Sequence, residues 1–256
     1  MARRHRLLFY DLESSFVLAP VWRAHDSYVA PERLRHDSFL LTFAAKWADQ
    51  PHVYYGRLTP EEAVAKDDRR IAASIGWLLR QADWAVAHNG DRFDKPLLNS
   101  RLLQHELPSV QHVQTIDTLK LARRSFKLAG GNGLDYLAQF LGLGSKIKVG
   151  FDAWEAAYRG DPQALRDLDM YCRHDVRLLE QVYERMAGHV SGLPRLVSAD
   201  EPEEFCCTRC GSPSVQKRGF HYTRAATYQR YRCMDCGKWD RDPIAMRDER
   251  LALRPV

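Results

Sequence analysis

RLLFYDLE, residues 6–13, sets four apolar residues in a row directly before two carboxylates spaced one residue apart. The run is short and β-prone, which reads as a buried strand carrying Asp11 to the edge of a sheet. Residues two apart in a strand share a face, so Asp11 and Glu13 project together and can jointly hold divalent cations. Alone the pair says little, because acidic pairs at strand ends are common and usually solvated. Its weight depends on the company it keeps along the chain.

Two further strands are expected at 38–45 and 52–57. Residues 60–82 open on Pro60-Glu61-Glu62 and carry Ile71, Ile75, Leu78 and Leu79 at helical spacing, which predicts a helix. A short strand at 84–88, a helix at 92–105 and a strand at 112–116 come next. Mostly helical sequence spans 117–141, interrupted at Gly130-Gly131-Asn132-Gly133. The longest helical pattern is 162–187, with Leu165, Leu168, Met170, Val176, Leu179, Val182 and Tyr183 along an apolar face. The order β-β-β-α-β-α-β-α predicts an α/β domain on a mixed sheet, antiparallel at first and parallel where helices cross over.

A chain of 256 residues can bury one sizeable core and carry an appendage. With 45% hydrophobic and 28% charged residues it has the composition of a folded globular protein. No apolar run approaches the roughly 20 residues that cross a bilayer, so neither membrane association nor an export signal is expected, and a reducing, cytoplasmic setting is. Charge is unevenly spread. Residues 206–241 hold eight Lys/Arg against Asp235 and Asp240, so the formal +5 of the chain comes from this segment. The expected organisation is a first domain over 1–195, an acidic linker at 196–205 around SADEPEE, a small module at 206–241 and a tail at 242–256.

Two more acidic elements complete the pattern. Asp94 stands in AHNGDRFDKPLL, just after a strand, where a carboxylate could merely compensate a helix N-terminus. Tyr171 and Asp175 lie one helical turn apart and share a face. Together, LLFYDLE, AHNGDRFDKPLL and YCRHDVRLLEQVY resemble the three exonuclease motifs of the DEDD superfamily of 3′→5′ exonucleases, in its tyrosine-containing subgroup. The closest likeness is to the proofreading domains of family B DNA polymerases and to stand-alone relatives of bacteria and phages. It covers roughly residues 6–187.

That resemblance implies an RNase H-like fold, with Asp11, Glu13, Asp94 and Asp175 as ligands of two Mg²⁺ or Mn²⁺ ions and Tyr171 as the subgroup's tyrosine. By the same likeness Asp11 bridges the ions, Glu13 and Asp175 complete one site and Asp94 the other. Met170 stands where the histidine-containing subgroup has its histidine, and His174 is at the wrong spacing, which leaves it a packing or surface residue. The chemistry suits the residue types. Two divalent cations ~3.5–4 Å apart can activate water and stabilise a departing 3′ oxygen, and hard cations take oxygen ligands. The implied substrate is a nucleic acid with a 3′ end, DNA favoured over RNA. No polymerase motif is present, so a proofreading role would need a replication or recombination protein as partner.

Other polar residues carry two readings each. Asn89 could contact a terminal nucleotide or simply form an Asn-Gly turn, and Phe93 beside Asp94 is a candidate substrate contact. Asp117 resembles a recurring Asp of these relatives but could only cap the next helix. Lys146 and Lys148 could meet phosphate, though a solvated loop is the plainer account. Cys172 reads as a packed thiol.

Cys207-x-x-Cys210 and Cys233-x-x-Cys236, each followed by glycine, predict a zinc ribbon with one structural Zn²⁺ in a Cys₄ site. A register using Cys206 stays open. Between the pairs, cations and aromatics interleave, with Lys217, Arg218, Tyr222 and Arg230 as candidate nucleic-acid contacts. Two rival functions are an RNase H-like endonuclease of transposase type and a non-catalytic nucleic-acid-binding protein.

Overall fold

The computed structural model describes residues 6–22, 29–48, 50–190, 193, 207, 212–223, 226–242 and 246. They fall into two compact units, one over His5–Met186 and the other built mainly on Ala187–Val256. The linker expected at 196–205 lies outside the described residues.

The larger unit is a mixed five-stranded sheet between helices. Strand β1 (Leu7–Ser14) is central, with antiparallel β2 (Leu40–Trp47) and then β3 (Val53–Arg57) on one side, and parallel β4 (Trp84–Ala87) and β5 (Gln114–Asp117) on the other. Both faces of the sheet are covered, which is why β1 begins as a continuous apolar run rather than an alternating one. Alternation still sorts the faces. Leu8, Tyr10 and Leu12 join a core with Ile71, Ile75 and Leu79 of α2 (Arg69–Arg80) and Leu98 and Leu102 of α3 (Asp94–Gln104). Phe9 and Asp11 point the other way, towards α7 (Pro162–Ala187). The register of β1 against β2 shifts between Glu13 and Ser14, at the acidic end of the strand.

The helix expected over 60–82 is two. α1 (Pro60–Ala65) starts in a reciprocal capping box between Thr59 and Glu62, and ends where Lys66 turns left-handed at φ 60°. The break delivers Asp68 to the interior, where it accepts hydrogen bonds from the backbone of Leu40 (2.8 Å) and from Arg101 (2.7 and 2.8 Å). Burying that carboxylate with its partners takes precedence over helix continuity.

The stretch 117–141 likewise holds α4 (Thr118–Ser125) and α5 (Leu134–Phe140), separated by a longer break than the glycines alone mark. A helix not expected from sequence, α6 (Phe151–Tyr158), precedes α7. The last helix matches the bounds expected of it. Its buried stripe, including Leu165, Leu168, Cys172, Val176, Leu179 and Val182, lies along the sheet, with Phe9 and Tyr183 ring to ring at 5.3 Å and Lys46 paired to Glu180 at 2.6 Å.

The smaller unit contains a three-stranded antiparallel sheet in the order β6 (Val215–Tyr222), β7 (Thr227–Cys233), β8 (Trp239–Arg241). Almost all of β6 is exposed, so burial of apolar side chains contributes little to it. Among the described residues no helix is long and apolar enough to cross a membrane.

Candidate active site

The acidic residues converge at the end of β1. Asp11, Glu13 and Asp175 each offer a carboxylate oxygen, and the three lie within 4.8 Å of one another. Asp94, the first residue of α3, is buried behind β1, where its Oδ1 accepts the backbone N–H of Leu12 at 3.1 Å. That bond fixes Asp94 to the strand residue between the other two carboxylates. Asp175 is 1% exposed, and its Oδ1 has no hydrogen-bond partner.

So many carboxylates in one place are hard to ionise. Burial, then Glu13, Asp94 and Asp175, push Asp11 well above the usual carboxylate range. Burial likewise raises Glu13 to about 8, against the pull of Lys146, and raises Asp94 to about 7. Asp175 is raised by burial and held back by Lys146. The carboxylates therefore outnumber the positive charge beside them. Hard oxygen donors, crowding and an unpartnered buried oxygen fit a divalent cation, which Asp11, Glu13 and Asp175 would hold, with Asp94 close behind.

Lys146 is the one cation set into this group among the described residues. Its Nζ lies 2.6 Å from Asp175 Oδ2 and donates to the Tyr171 hydroxyl at 2.9 Å. Burial opposes its charge, but Asp175 and Tyr171 together raise its pKa, so it stays protonated. The loop that carries it is anchored at both sides. Asp135 accepts the Lys146 N–H at 2.7 Å, and His174 donates from Nε2 to Ser145 O at 2.9 Å. Gly142 and Gly144, at φ +70° and +104°, allow the turn before it. The sequence left Lys146 between a phosphate contact and a solvated loop, the plainer account, and His174 a packing or surface residue. Here one reaches the acidic cluster and the other pins its loop.

Tyr171 and Asp175 share a face of α7 as their spacing requires, and burial raises the Tyr171 phenol to about 12, so it is neutral. Trp154 on α6 was not singled out by sequence. Its indole lies on the Glu13 side and helps hold that carboxyl's pKa down, and its ring meets Tyr171 edge-on at 5.9 Å. Only its place on an unrecognised helix could have signalled it. Cys172 is buried, with its thiol donating to Asp11 O at 3.4 Å and its pKa pushed well up by burial.

The remaining candidates ring the cluster or lie apart. A groove of about 750 Å³ runs past Lys146, Lys148, Trp154 and Tyr171. Asn89 is left-handed at φ 70°, and Phe93, directly before Asp94, is 48% exposed. Asp117 does more than cap α4. Besides Leu119 and Lys120 it accepts the Asn89 N–H at 3.0 Å, tying the turn before α3 to β5. Lys217, Arg218, Tyr222 and Arg230 belong to the smaller unit. There Cys207, Cys233 and Cys236 bring their sulfurs within 4.8 Å, with Cys207 and Cys236 at 3.5 Å. That spacing fits thiolates sharing a tetrahedral ion at about 2.3 Å from each. Cys206 and Cys210 lie outside the described residues.

Comparison with known proteins bears on the larger unit. Curated protein sequences give no match. Among solved structures, the family B DNA polymerase from the hyperthermophilic archaeon Pyrobaculum calidifontis superposes with a TM-score of 0.52 and 18% identity. The alignment covers 73% of this chain and 25% of the polymerase, so the chain spans about a quarter of that protein's length, and identity this low shows a shared fold. The RNase_H_2 family model, of the RNase_H superfamily, matches residues 35–187 and leaves out the β1 carboxylates. Since that match takes in β2 to the end of α7, more than half of the sequence, this chain belongs to the RNase H superfamily.

Proposed function

We propose that the chain is a metal-dependent 3′→5′ exonuclease acting on a nucleic acid 3′ end, DNA favoured over RNA. The RNase H-like fold supports nuclease activity, and the likeness to a family B DNA polymerase agrees with the exonuclease motifs in the sequence. The observation that carries the reading is the convergence of Asp11, Glu13 and Asp175 with an unpaired buried oxygen, backed by Asp94 and flanked by Tyr171 and Lys146.

Bound to these carboxylates, two Mg²⁺ or Mn²⁺ ions would activate the attacking water and stabilise the departing 3′ oxygen. Lys146, held charged beside Asp175, offers a cation to the scissile phosphate. Tyr171 stays neutral and can donate its hydroxyl proton to a phosphate oxygen or to water, which orients the reactants without acting as a base. Trp154, beside Glu13, favours its ionised form against the pull of burial. Phe93, exposed next to Asp94, can stack on the terminal base, and Asn89 lies in the same turn. In the smaller unit we assign one structural Zn²⁺ to Cys207, Cys210, Cys233 and Cys236.

Digestion of end-labelled single-stranded DNA, duplex DNA and RNA with Mg²⁺ or Mn²⁺ tests the reading. Mononucleotides released from the 3′ end, with covalently closed circles resistant, are the expected result. Cutting of closed circles would favour an endonuclease. No metal-dependent turnover on any substrate would leave only a binding protein.

A further inference from the structure

We infer that one face of the β6–β7–β8 sheet binds the phosphodiester backbone of a nucleic acid strand. Strand register sorts the side chains. Arg232 is level with Gln216 and Trp239, Arg230 with Arg241, and Tyr228 with His221, so these seven share a face. Lys217, Tyr231 and Asp240 are level with one another on the opposite face, which also carries Cys233. Lys217, Arg218, Tyr222 and Arg230 are thus not one group. Lys217 and Tyr222 sit on the cysteine side, Arg218 falls where the register shifts, and only Arg230 is on the arginine face.

Three features of that face point to a polyanion. First, charge is segregated: it carries Arg230, Arg232 and Arg241 and no carboxylate, and none of the three is ion-paired among the described residues. Second, the guanidiniums are already in place. Arg230 lies 4.2 Å over the Trp239 ring, Arg232 5.9 Å from it, and Arg241 4.2 Å over Tyr228. A guanidinium held over a ring by cation–π attraction still has N–H donors to offer, and a held side chain loses less entropy on binding phosphate. Third, all three arginines are exposed and Trp239 is 44% exposed, so the face is open to a strand. Repeated phosphates suit the row of cations, and bases can stack on the aromatic rings or on the arginine planes themselves. An acidic peptide would satisfy only the charges.

The test is binding of the zinc-replete full chain to fluorescein-labelled dT20 and rU20, without added Mg²⁺ or Mn²⁺ so that nothing is cut. The variant Arg230→Gln/Arg232→Gln/Arg241→Gln should weaken binding at least tenfold at low salt. Its log–log salt slope should fall by about 2, from roughly 0.7 per lost single-strand contact. Arg241→Gln alone, less able to disturb the fold, should lower the slope by about 0.7. Lys217→Gln on the other face should leave both unchanged, and strand addition should quench tryptophan emission in wild type more than in Trp239→Phe. The inference is overturned if both arginine variants bind within twofold of wild type with the same slope, or if polyglutamate competes as well as dT20. Relative affinity for dT20 and rU20 separates DNA from RNA as the source of the backbone. Because only binding is read, the outcome is independent of whether the acidic cluster is an exonuclease site.

Discussion

Asp68 and Asp175 are both buried carboxylates in the larger unit, and they are treated in opposite ways. Asp68 is 0% exposed and fully engaged: Leu40 N–H, two bonds from Arg101, and His105 Nε2 at 2.6 Å. Asp175 is 1% exposed, pairs with Lys146 through Oδ2 at 2.6 Å, faces two other carboxylates and leaves Oδ1 without a partner. A buried charge whose lone pairs are all satisfied locks elements together. One crowded by like charges and only partly satisfied costs stability and persists where function requires it. The contrast separates architecture from chemistry without reference to any relative, and it can be broken by experiment.

The largest effect should fall on activity at the unsatisfied cluster. Asp11→Asn or Asp94→Asn keeps side-chain volume while removing a proposed metal ligand, and should lower kcat at least ~10³-fold, about 4 kcal/mol of transition-state stabilisation. Circular dichroism should show the fold retained. Near-normal turnover of either purified variant would sink the assignment of these carboxylates.

Asp68→Asn should do the reverse. It strands the Arg101 guanidinium, 4% exposed, and should cost about 3–5 kcal/mol in urea unfolding, the usual loss when one partner of a buried pair goes. At low temperature, where the variant is folded, kcat should stay within about threefold of wild type. A large kcat defect in folded protein would mean that Asp68 is not purely architectural.

The same contrast explains how much the sequence could show. The order of strands, the mixed sheet and the long last helix followed from local apolar patterns, because each element buries its own stripe. Asp11, Glu13, Asp94, Tyr171 and Asp175 were legible through motif spacing, although spacing gave no view of their surroundings. What escaped depends on distant partners. The break before Asp68 is imposed by Arg101 and His105, 33 and 37 residues away. Lys146 reaches Tyr171 across 25 residues, and Trp154 meets Tyr171 from a helix too short to announce itself. In the smaller unit, composition gave the cations and aromatics, but only strand register could divide them between two faces.

A milder change sharpens the role of the phenol. Tyr171→Phe removes one hydroxyl from the Lys146–Tyr171 pair and leaves every carboxylate in place. Single-turnover kcat should fall about 10²-fold, as for other positioned proton donors, with the metal concentration for half-maximal activity unchanged. An unaltered single-turnover rate would make Tyr171 a packing residue and remove the support for the tyrosine subgroup.

The smallest effect is on stability, and its sign tests whether the acidic cluster is crowded by like charge. Glu13 is raised to about 8 from a usual 4.5, so between roughly pH 5 and 8 the folded protein holds a proton that the unfolded chain has released. Raising pH through that window strips the proton and returns the repulsion of Glu13 by Asp175 and Asp94. Without added Mg²⁺ or Mn²⁺, stability should therefore be highest near pH 5 and decline towards pH 8. Glu13 is partly solvated and shares its proton with neighbours, so the loss should be on the order of 1–2 kcal/mol, a few degrees in Tm. Glu13→Gln cannot ionise, and its profile should be flatter over the same range. Mg²⁺ or Mn²⁺ should also flatten the wild-type profile, since a cation replaces the proton and binding to the folded state alone raises Tm. A metal-free wild type that gains stability from pH 5 to 8 would show Glu13 to be compensated, as Asp68 is. The distinction between the two carboxylate sites would then fail on energetic grounds, whatever the activity assays gave.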